Sequence, residues 1–291
     1  MLLWTAQKGG IMHKIVVKKQ LNTEICLVEF EARDLAAAAR AGQFVILRVD
    51  ENGERFPLTI YDFDRDKGTV TVVCQAVGVS TKKLCALNVG DHVLDAAGPL
   101  GNATETKDIG RVICIGGGVG TAEAYPIARA MKEAGNDVTV IIGSRTSGLV
   151  ICEKEIRDFC ENVYVTTDDG SYGRKGFVTD VLKELIENEM YDMVFAIGPV
   201  PMMKRVSEVT LGKKIKTMVS LNSIMIDGTG MCGGCRLKYD GKPSFACVDG
   251  PEFDAHLVDF DDLMKRGARY KDKEKKAMDH YDGKCRIGLD K

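Results

Sequence analysis

Val112-Ile113-Cys114-Ile115-Gly116-Gly117-Gly118-Val119-Gly120-Thr121-Ala122 decides the fold. A continuous apolar run ends in a glycine turn and passes into a helix expected from about Thr121. Glycines let the main chain approach a diphosphate, and the free amides at a helix start stabilise its charge. Gly116, Gly117, Gly118, Gly120 and Thr121 are therefore candidate nucleotide-binding residues. The fingerprint is imperfect: counting from Gly116 and Gly118 puts Thr121 in the third glycine's place, and counting from Gly118 and Gly120 puts Glu123 there.

Downstream, further apolar runs at Val138 to Ile142, Val163 to Thr166 and Met193 to Ile197 are separated by helix-length segments. Strands buried on both faces with helical crossovers predict a parallel α/β sheet. A weaker strand, Ile215 to Val219, is expected to close it. Arg145 follows the second strand, where a cation would favour the 2′-phosphate of NADP over NAD. After the fourth strand comes Ala196-Ile197-Gly198-Pro199-Val200-Pro201-Met202-Met203, which brings Gly198, Pro199 and Met202 to the same sheet edge.

Upstream, from about His13 to Leu94, short runs alternate apolar and polar residues between glycine-rich breaks, the pattern of an all-β barrel or sandwich. A short helix is expected at Thr81 to Leu87. Arg55-Phe56-Pro57-Leu58-Thr59 sets a guanidinium, a stiffened turn and a hydroxyl close together. Arg55 can take a phosphate, while Pro57, Leu58 and Thr59 border a flavin ring. Gly78, Ser80 and Thr81 offer a second anion site at a helix start, and Gly98-Pro99-Leu100-Gly101 is expected to be a tight turn, with Gly98 and Gly101 giving close access to a flat ligand.

Beyond Asn222 the apolar periodicity fails. Asp227-Gly228-Thr229-Gly230-Met231-Cys232-Gly233-Gly234-Cys235 leads on to Cys247. The spacing Asp-x4-Cys-x2-Cys…Cys is that of a plant-type two-iron site with a carboxylate in place of the first thiolate. Asp227, Cys232, Cys235 and Cys247 are the candidate ligands. A zinc site using the three cysteines with His256 is the competing metal reading. A segment so poor in apolar residues needs a ligand to order it.

Composition narrows the function classes. The 291 residues carry 40 Lys+Arg and 42 Asp+Glu, a formal net charge of −2, so no basic footprint calls for nucleic acid or an anionic membrane. No apolar run is long enough to span a bilayer, and the N-terminus lacks a signal-peptide pattern. Cys26, Cys74, Cys85, Cys114, Cys152, Cys160 and Cys285 are scattered, mostly within apolar runs, as free thiols of a cytoplasmic protein would be.

The barrel motifs resemble those of the ferredoxin-reductase superfamily, as does Gly198-Pro199-x-x-Met202, although Ile197 stands where that element carries a Cys. With the C-terminal cysteine loop, the whole resembles the family of dihydroorotate dehydrogenase electron-transfer subunits. Within it the carboxylate at Asp227 is closer to the branch of small subunits of NADH-dependent reduced ferredoxin:NADP oxidoreductase, also called sulfide dehydrogenase beta subunits. The dihydroorotate branch carries a fourth Cys there.

The resemblance implies FAD, NAD(H) and a 2Fe-2S cluster, with no side chain acting as acid or base in the hydride step. It also implies a heterodimer with a larger iron–sulfur flavoprotein subunit that binds NADP and ferredoxin and bifurcates electrons. The implied organisation is an N-terminal extension (1–12), an FAD-binding β-barrel (13–104), an NAD(P)-binding α/β domain (105–222), a cluster domain (223–270) and a charged tail (271–291). The rivals are a dihydroorotate dehydrogenase subunit, a stand-alone flavin or sulfide reductase, and a non-catalytic docking protein.

Overall fold

The computed structural model describes residues 12–287, with side chains through residue 282. The expected N-terminal extension apart from Met12, the end of the charged tail and the Cys285 side chain lie outside the described residues.

The first part is a nearly closed antiparallel barrel. Its strands are β1 (His13–Gln20), β2 (Ile25–Glu31), β3 (Phe44–Arg48), β4 (Phe56–Asp64), β5 (Thr69–Gln75), β6 (His92–Val93) and β7 (Asp95–Leu100), in the order β6-β1-β2-β5-β4-β3-β7. The two outermost strands are separated only by Leu94, so the sheet curls almost onto itself and protects its edges. Helix α1 (Arg33–Ala38) packs beneath β5, and α2 (Val79–Ala86) begins after it. Phe30, Leu47, Ile60, Val72 and Leu84 fill the interior. The register between β4 and β5 shifts between Ile60 and Asp62. Such a bulge re-aims a side chain, and Tyr61 there stacks on Tyr125 of the next domain at 4.6 Å.

Helices and parallel strands follow: β8 (Arg111–Gly117), α3 (Gly120–Glu133), β9 (Asp137–Ser144), α4 (Glu153–Arg157), β10 (Asn162–Thr167), β11 (Arg174–Lys175), α5 (Val178–Asn188), β12 (Met193–Ile197), α6 (Val200–Leu211) and β13 (Lys216–Ser220). Ile113, Ile115, Val140, Ile142, Val194 and Ala196 are buried on one face of the sheet or the other, which explains their unbroken apolar runs.

The C-terminal part holds a hairpin, β14 (Arg236–Tyr239) with β15 (Lys242–Phe245), then β16 (Glu252–Asp254), α7 (Phe260–Gly267) and α8 (Lys271–Ile287). β16 pairs antiparallel with β13, so the strand expected to close the sheet does not: the order is β11-β10-β9-β8-β12-β13-β16. With only three residues in β16, periodicity gave no signal. The charged tail is helical over Lys271–Ile287, and Lys82 of α2 binds Asp282 on it at 3.0 Å.

Two further expectations change. Cys26 and Cys85 are not free; they form a disulfide with their Cα atoms 6.0 Å apart, joining β2 to α2. Gly98-Pro99 is not the apex of a turn but the end of β7, and the chain turns only at Gly101, whose φ is +74°.

The three parts meet at Glu252, whose Oε1 accepts from the Thr104 hydroxyl at 2.5 Å, beside Gly42 of the barrel. Burial pushes this carboxyl up to about 7, and the Thr104 hydroxyl opposes the shift. The folded state therefore holds a proton that the unfolded chain gives up near its ordinary value of 4.5, so stability is fullest below that pH and declines until about pH 7. Urea melts of Glu252→Gln should show a flatter pH profile across that window than wild type.

Candidate functional site

A cleft of about 810 Å³ opens at the C-terminal ends of β8, β9 and β12, the usual ligand position in such sheets. Of the sequence-derived candidates, Gly117, Gly118, Gly120, Arg145, Gly198, Pro199 and Met202 line it. Gly116 and Thr121 do not; a Cβ on Gly116 would overlap the main chain of Thr121, so they form the tight crossing beneath the cleft. Gly118 has φ +60° and open space around it. Gly120 lies against the Ile197 carbonyl, leaving no room for a side chain. Met202 packs over Gly117 and Gly198, holding the β8 and β12 turns together. Arg145 is largely exposed, with Glu24 3.9 Å away. The buried Ser144 hydroxyl at the cleft has no protein partner.

The barrel motifs form a second surface. Pro57, Leu58 and Thr59 of β4 pair with Ile46, Val45 and Phe44 of β3 and remain half-buried, as does all of β7 beyond it. These apolar and small residues offer a flat face for a planar ring system. Arg55 is held by Asp95 at 3.1 Å. At α2, the Gly78 amide donates to Thr81 Oγ1 at 2.9 Å, and that hydroxyl donates to the Gly78 carbonyl. Thr81 thus caps the helix, and with Ser80 and the amides of the first turn it stands where an anion would sit. This face fits a flavin with its diphosphate.

Around the cysteines, Gly228, Gly230 and Gly233 have φ of +73°, +83° and +67°, conformations that wrap the loop tightly. Cys235 and Cys247 flank the β14–β15 hairpin, both buried, with sulfurs 3.2 Å apart. Cys232 is exposed, and the Gly234 amide points at its sulfur at 3.5 Å. Asp227 accepts from the amides of Thr229 at 2.8 Å and Cys232 at 2.9 Å, which hold its carboxyl below the usual range. Burial pushes the Cys247 thiol up to about 12, so it becomes a thiolate ligand only beside a compensating cation.

Two sulfurs in contact, a third on the same loop and an ionised carboxylate match the donor set of an iron–sulfur cluster. Among the described residues, no three His, Cys, Asp or Glu side chains stand close enough together to hold a metal ion, so of the four candidate ligands only Cys235 and Cys247 are shown in contact. His256, which the zinc reading requires, instead has Nε2 3.1 Å from the Thr210 hydroxyl on α6. The loop adjoins the barrel: Gly228 packs against Leu100 and Ile46, and the Asn102 amide donates to the Gly250 carbonyl at 2.7 Å.

Glu123 was named from sequence only as a misfit in the glycine count. In the first turn of α3, which packs against β4 of the barrel, it lines the cleft and is half-buried. No local pattern marks it, because its place at the cleft depends on how α3 docks between the sheet and the barrel.

Comparison with known proteins agrees with this geometry. Residues 222–259 match the iron-sulfur cluster binding domain of dihydroorotate dehydrogenase B, and residues 114–208 match the oxidoreductase NAD-binding domain. An uncharacterised protein of Clostridium beijerinckii is 51% identical over 276 residues, covering 92% of this chain and 93% of the relative. A dihydroorotate dehydrogenase B (NAD(+)) electron transfer subunit homolog of Thermotoga maritima is 42% identical, with coverage of 94% and 96%.

The chain belongs to the dihydroorotate dehydrogenase B electron transfer subunit family. This electron-transfer family member also resembles a chain in the structure of NADH-dependent reduced ferredoxin-NADP oxidoreductase, solved for its flavin-based electron bifurcation. They share 40% identity and a TM-score of 0.89, covering 94% of this chain and 99% of the other. An Amycolatopsis cytochrome P450 reductase, at 22% identity and TM-score 0.61, shares the ferredoxin-reductase-like fold. The family member is thus an oxidoreductase chain with an NAD-binding domain and an iron–sulfur domain on a flavin-binding fold. No described helix is long and apolar enough to cross a membrane.

Proposed function

We propose that this chain is the small electron-transfer subunit of an electron-bifurcating NADH-dependent reduced ferredoxin:NADP oxidoreductase. It exchanges electrons between NAD(H), FAD and a 2Fe-2S cluster, and passes them to a larger iron–sulfur flavoprotein subunit that binds NADP and ferredoxin. The observation that carries this reading is the meeting of three sites in one chain, with the Asp227-to-Cys247 loop packed on the barrel end that offers the flavin face. The similarity to the bifurcating oxidoreductase chain over almost its whole length supports the same reading.

In this reading, Gly117, Gly118, Gly120 and Gly198 admit the dinucleotide, and Pro199 and Met202 brace its nicotinamide end. Arg55, Ser80 and the α2 amides hold the FAD phosphates; Pro57, Leu58, Thr59, Gly98 and Gly101 border its ring. Asp227, Cys232, Cys235 and Cys247 hold the cluster. FAD, when bound, supplies the conversion between hydride chemistry and single-electron transfer. The residues bind, align and exclude water. A cytoplasmic setting is part of the proposal, supported by the buried free thiols of Cys74, Cys114, Cys152 and Cys160; the Cys26–Cys85 pair is the feature at odds with it.

Anaerobic titration of the purified chain tests the nucleotide. NADH is expected to bleach the flavin, and Arg145→Ala should change that affinity little, because the guanidinium is exposed and faces Glu24. Bleaching by NADPH alone would overturn the assignment. The second reading, a subunit serving dihydroorotate dehydrogenase, is favoured by relatives of that description at 34% identity. Copurification with a dihydroorotate-oxidising partner would select it.

A further inference from the structure

Hydride passes between two rings only when the reacting atoms lie about 3–3.5 Å apart, and a misplacement of about 1 Å can cost about 100-fold in rate. With the flavin on the barrel and the dinucleotide in the cleft, the docking of one domain on the other fixes that separation. Part of the interface is apolar: Ile25, Tyr61 and Val73 of the barrel lie in the same buried cluster as Ala122 and Ile127 of α3. Apolar burial is non-directional. It holds the domains together without fixing their register.

Two directional contacts supply the register. On β4, Ile60 sits in the barrel core and Phe63 packs against it. The bulge between Ile60 and Asp62 lets the two intervening residues both face outward, whereas a regular strand would send Tyr61 and Asp62 to opposite faces. Tyr61 stacks on Tyr125 with ring centroids 4.6 Å apart and planes inclined by 15°. Asp62 Oδ1 accepts from Arg129 Nη2 at 2.7 Å. Tyr125 and Arg129 are neighbours one turn apart on α3. The Arg129 guanidinium lies 5.1 Å from the Tyr125 ring centroid and donates to its hydroxyl at 3.3 Å. Two adjacent side chains of a strand thus grip two stacked side chains of a helix, which opposes both sliding and rotation. Among the described residues, the other ion pairs between these domains, Lys19 with Glu155 at 3.7 Å and Arg145 with Glu24 at 3.9 Å, are looser.

These contacts sit close to both ligand surfaces. Thr59 precedes Tyr61 by two residues on β4, and Gly120 at the cleft precedes Tyr125 by five residues on α3, about 7.5 Å along the helix. Both charged groups are partly exposed, so their pairing adds little to stability. Neither lines the cleft. We propose that Tyr61, Asp62, Tyr125 and Arg129 form a clasp that sets the distance from nicotinamide to flavin, which makes Asp62 and Arg129 positioning residues for hydride transfer. The inference rests on the reading of the barrel face as the flavin site.

The test uses the full chain with FAD and cluster bound. Anaerobic stopped-flow mixing with NADH gives the limiting rate of flavin bleaching and, separately, the NADH dissociation constant. Arg129→Met and Asp62→Ala should each lower the limiting rate about 10- to 100-fold and leave the dissociation constant unchanged. Both should also weaken the long-wavelength charge-transfer absorbance that reports overlap of the two rings. Their losses should not add in the double variant, as for two halves of one contact, and Arg129→Lys, which keeps the charge, should recover most of the rate. Should Arg129→Met fail to fold, the rate and the absorbance of Asp62→Ala decide. An unchanged limiting rate in Asp62→Ala, or losses that add in the double variant, overturns the clasp alone. A wild type that binds no FAD overturns the flavin reading and this inference with it.

Discussion

Cys247→Ala is expected to yield a protein without iron or acid-labile sulfide whose flavin is still bleached by NADH. Loss of outer-shell support alone typically weakens a metal site 10- to 100-fold, so deletion of a direct ligand should exceed about 100-fold. Cys247 is 2% exposed, and its sulfur is held against Cys235, so no solvent-borne ligand can replace it without opening the hairpin. The cleft and the flavin face draw no residue from this loop, which is why hydride uptake should survive. Iron and sulfide analysis, with the low-temperature paramagnetic signal after reduction, makes the comparison. Full iron content in Cys247→Ala would sink the ligand assignment.

The second large effect is expected at Gly120. A valine there would drive its side chain into the Ile197 carbonyl and Gly198, and this backbone cannot move aside as a flexible side chain would. Overpacking of this kind costs about 1–3 kcal/mol, a fall in Tm of about 2–12 °C for a protein of this size. Shifting the helix start also misaims the amides that face the dinucleotide, so NADH affinity should drop as well. Gly118→Ala is the contrast: φ is +60° but nothing lies within 4 Å, so its cost is about 1–2 kcal/mol of backbone strain. A Gly120→Val protein that melts and binds NADH as the wild type does would contradict the close-packing account.

Much of this was legible in the chain itself because the signals were local. Val112 to Ala122 reads as strand, turn and helix from its own residues, and β8 and α3 begin within a residue or so of the expected places. The cysteine loop was equally plain, since spacing and glycine content are sequence properties. Long-range pairing was not. The three residues of β16 have no periodicity, and only the partner strand β13 makes them a strand. Cys26 and Cys85 lie 59 residues apart in sequence, and their meeting depends on where α2 packs. A hydroxyl such as that of Thr81 serves anions and helix caps alike, and its capping bonds to Gly78 show only once the chain is folded. Glu123 gains its place at the cleft from the docking of α3.

The late arrival of β16 sets an order of birth for the molecule. A nascent chain can close its barrel soon after Leu100 emerges, yet the outer edge of the nucleotide sheet stays bare until the residues beyond the cysteine hairpin have left the ribosome. The cysteine hairpin and the strand that seals that edge are thus synthesised almost together, after every other strand of both sheets is complete.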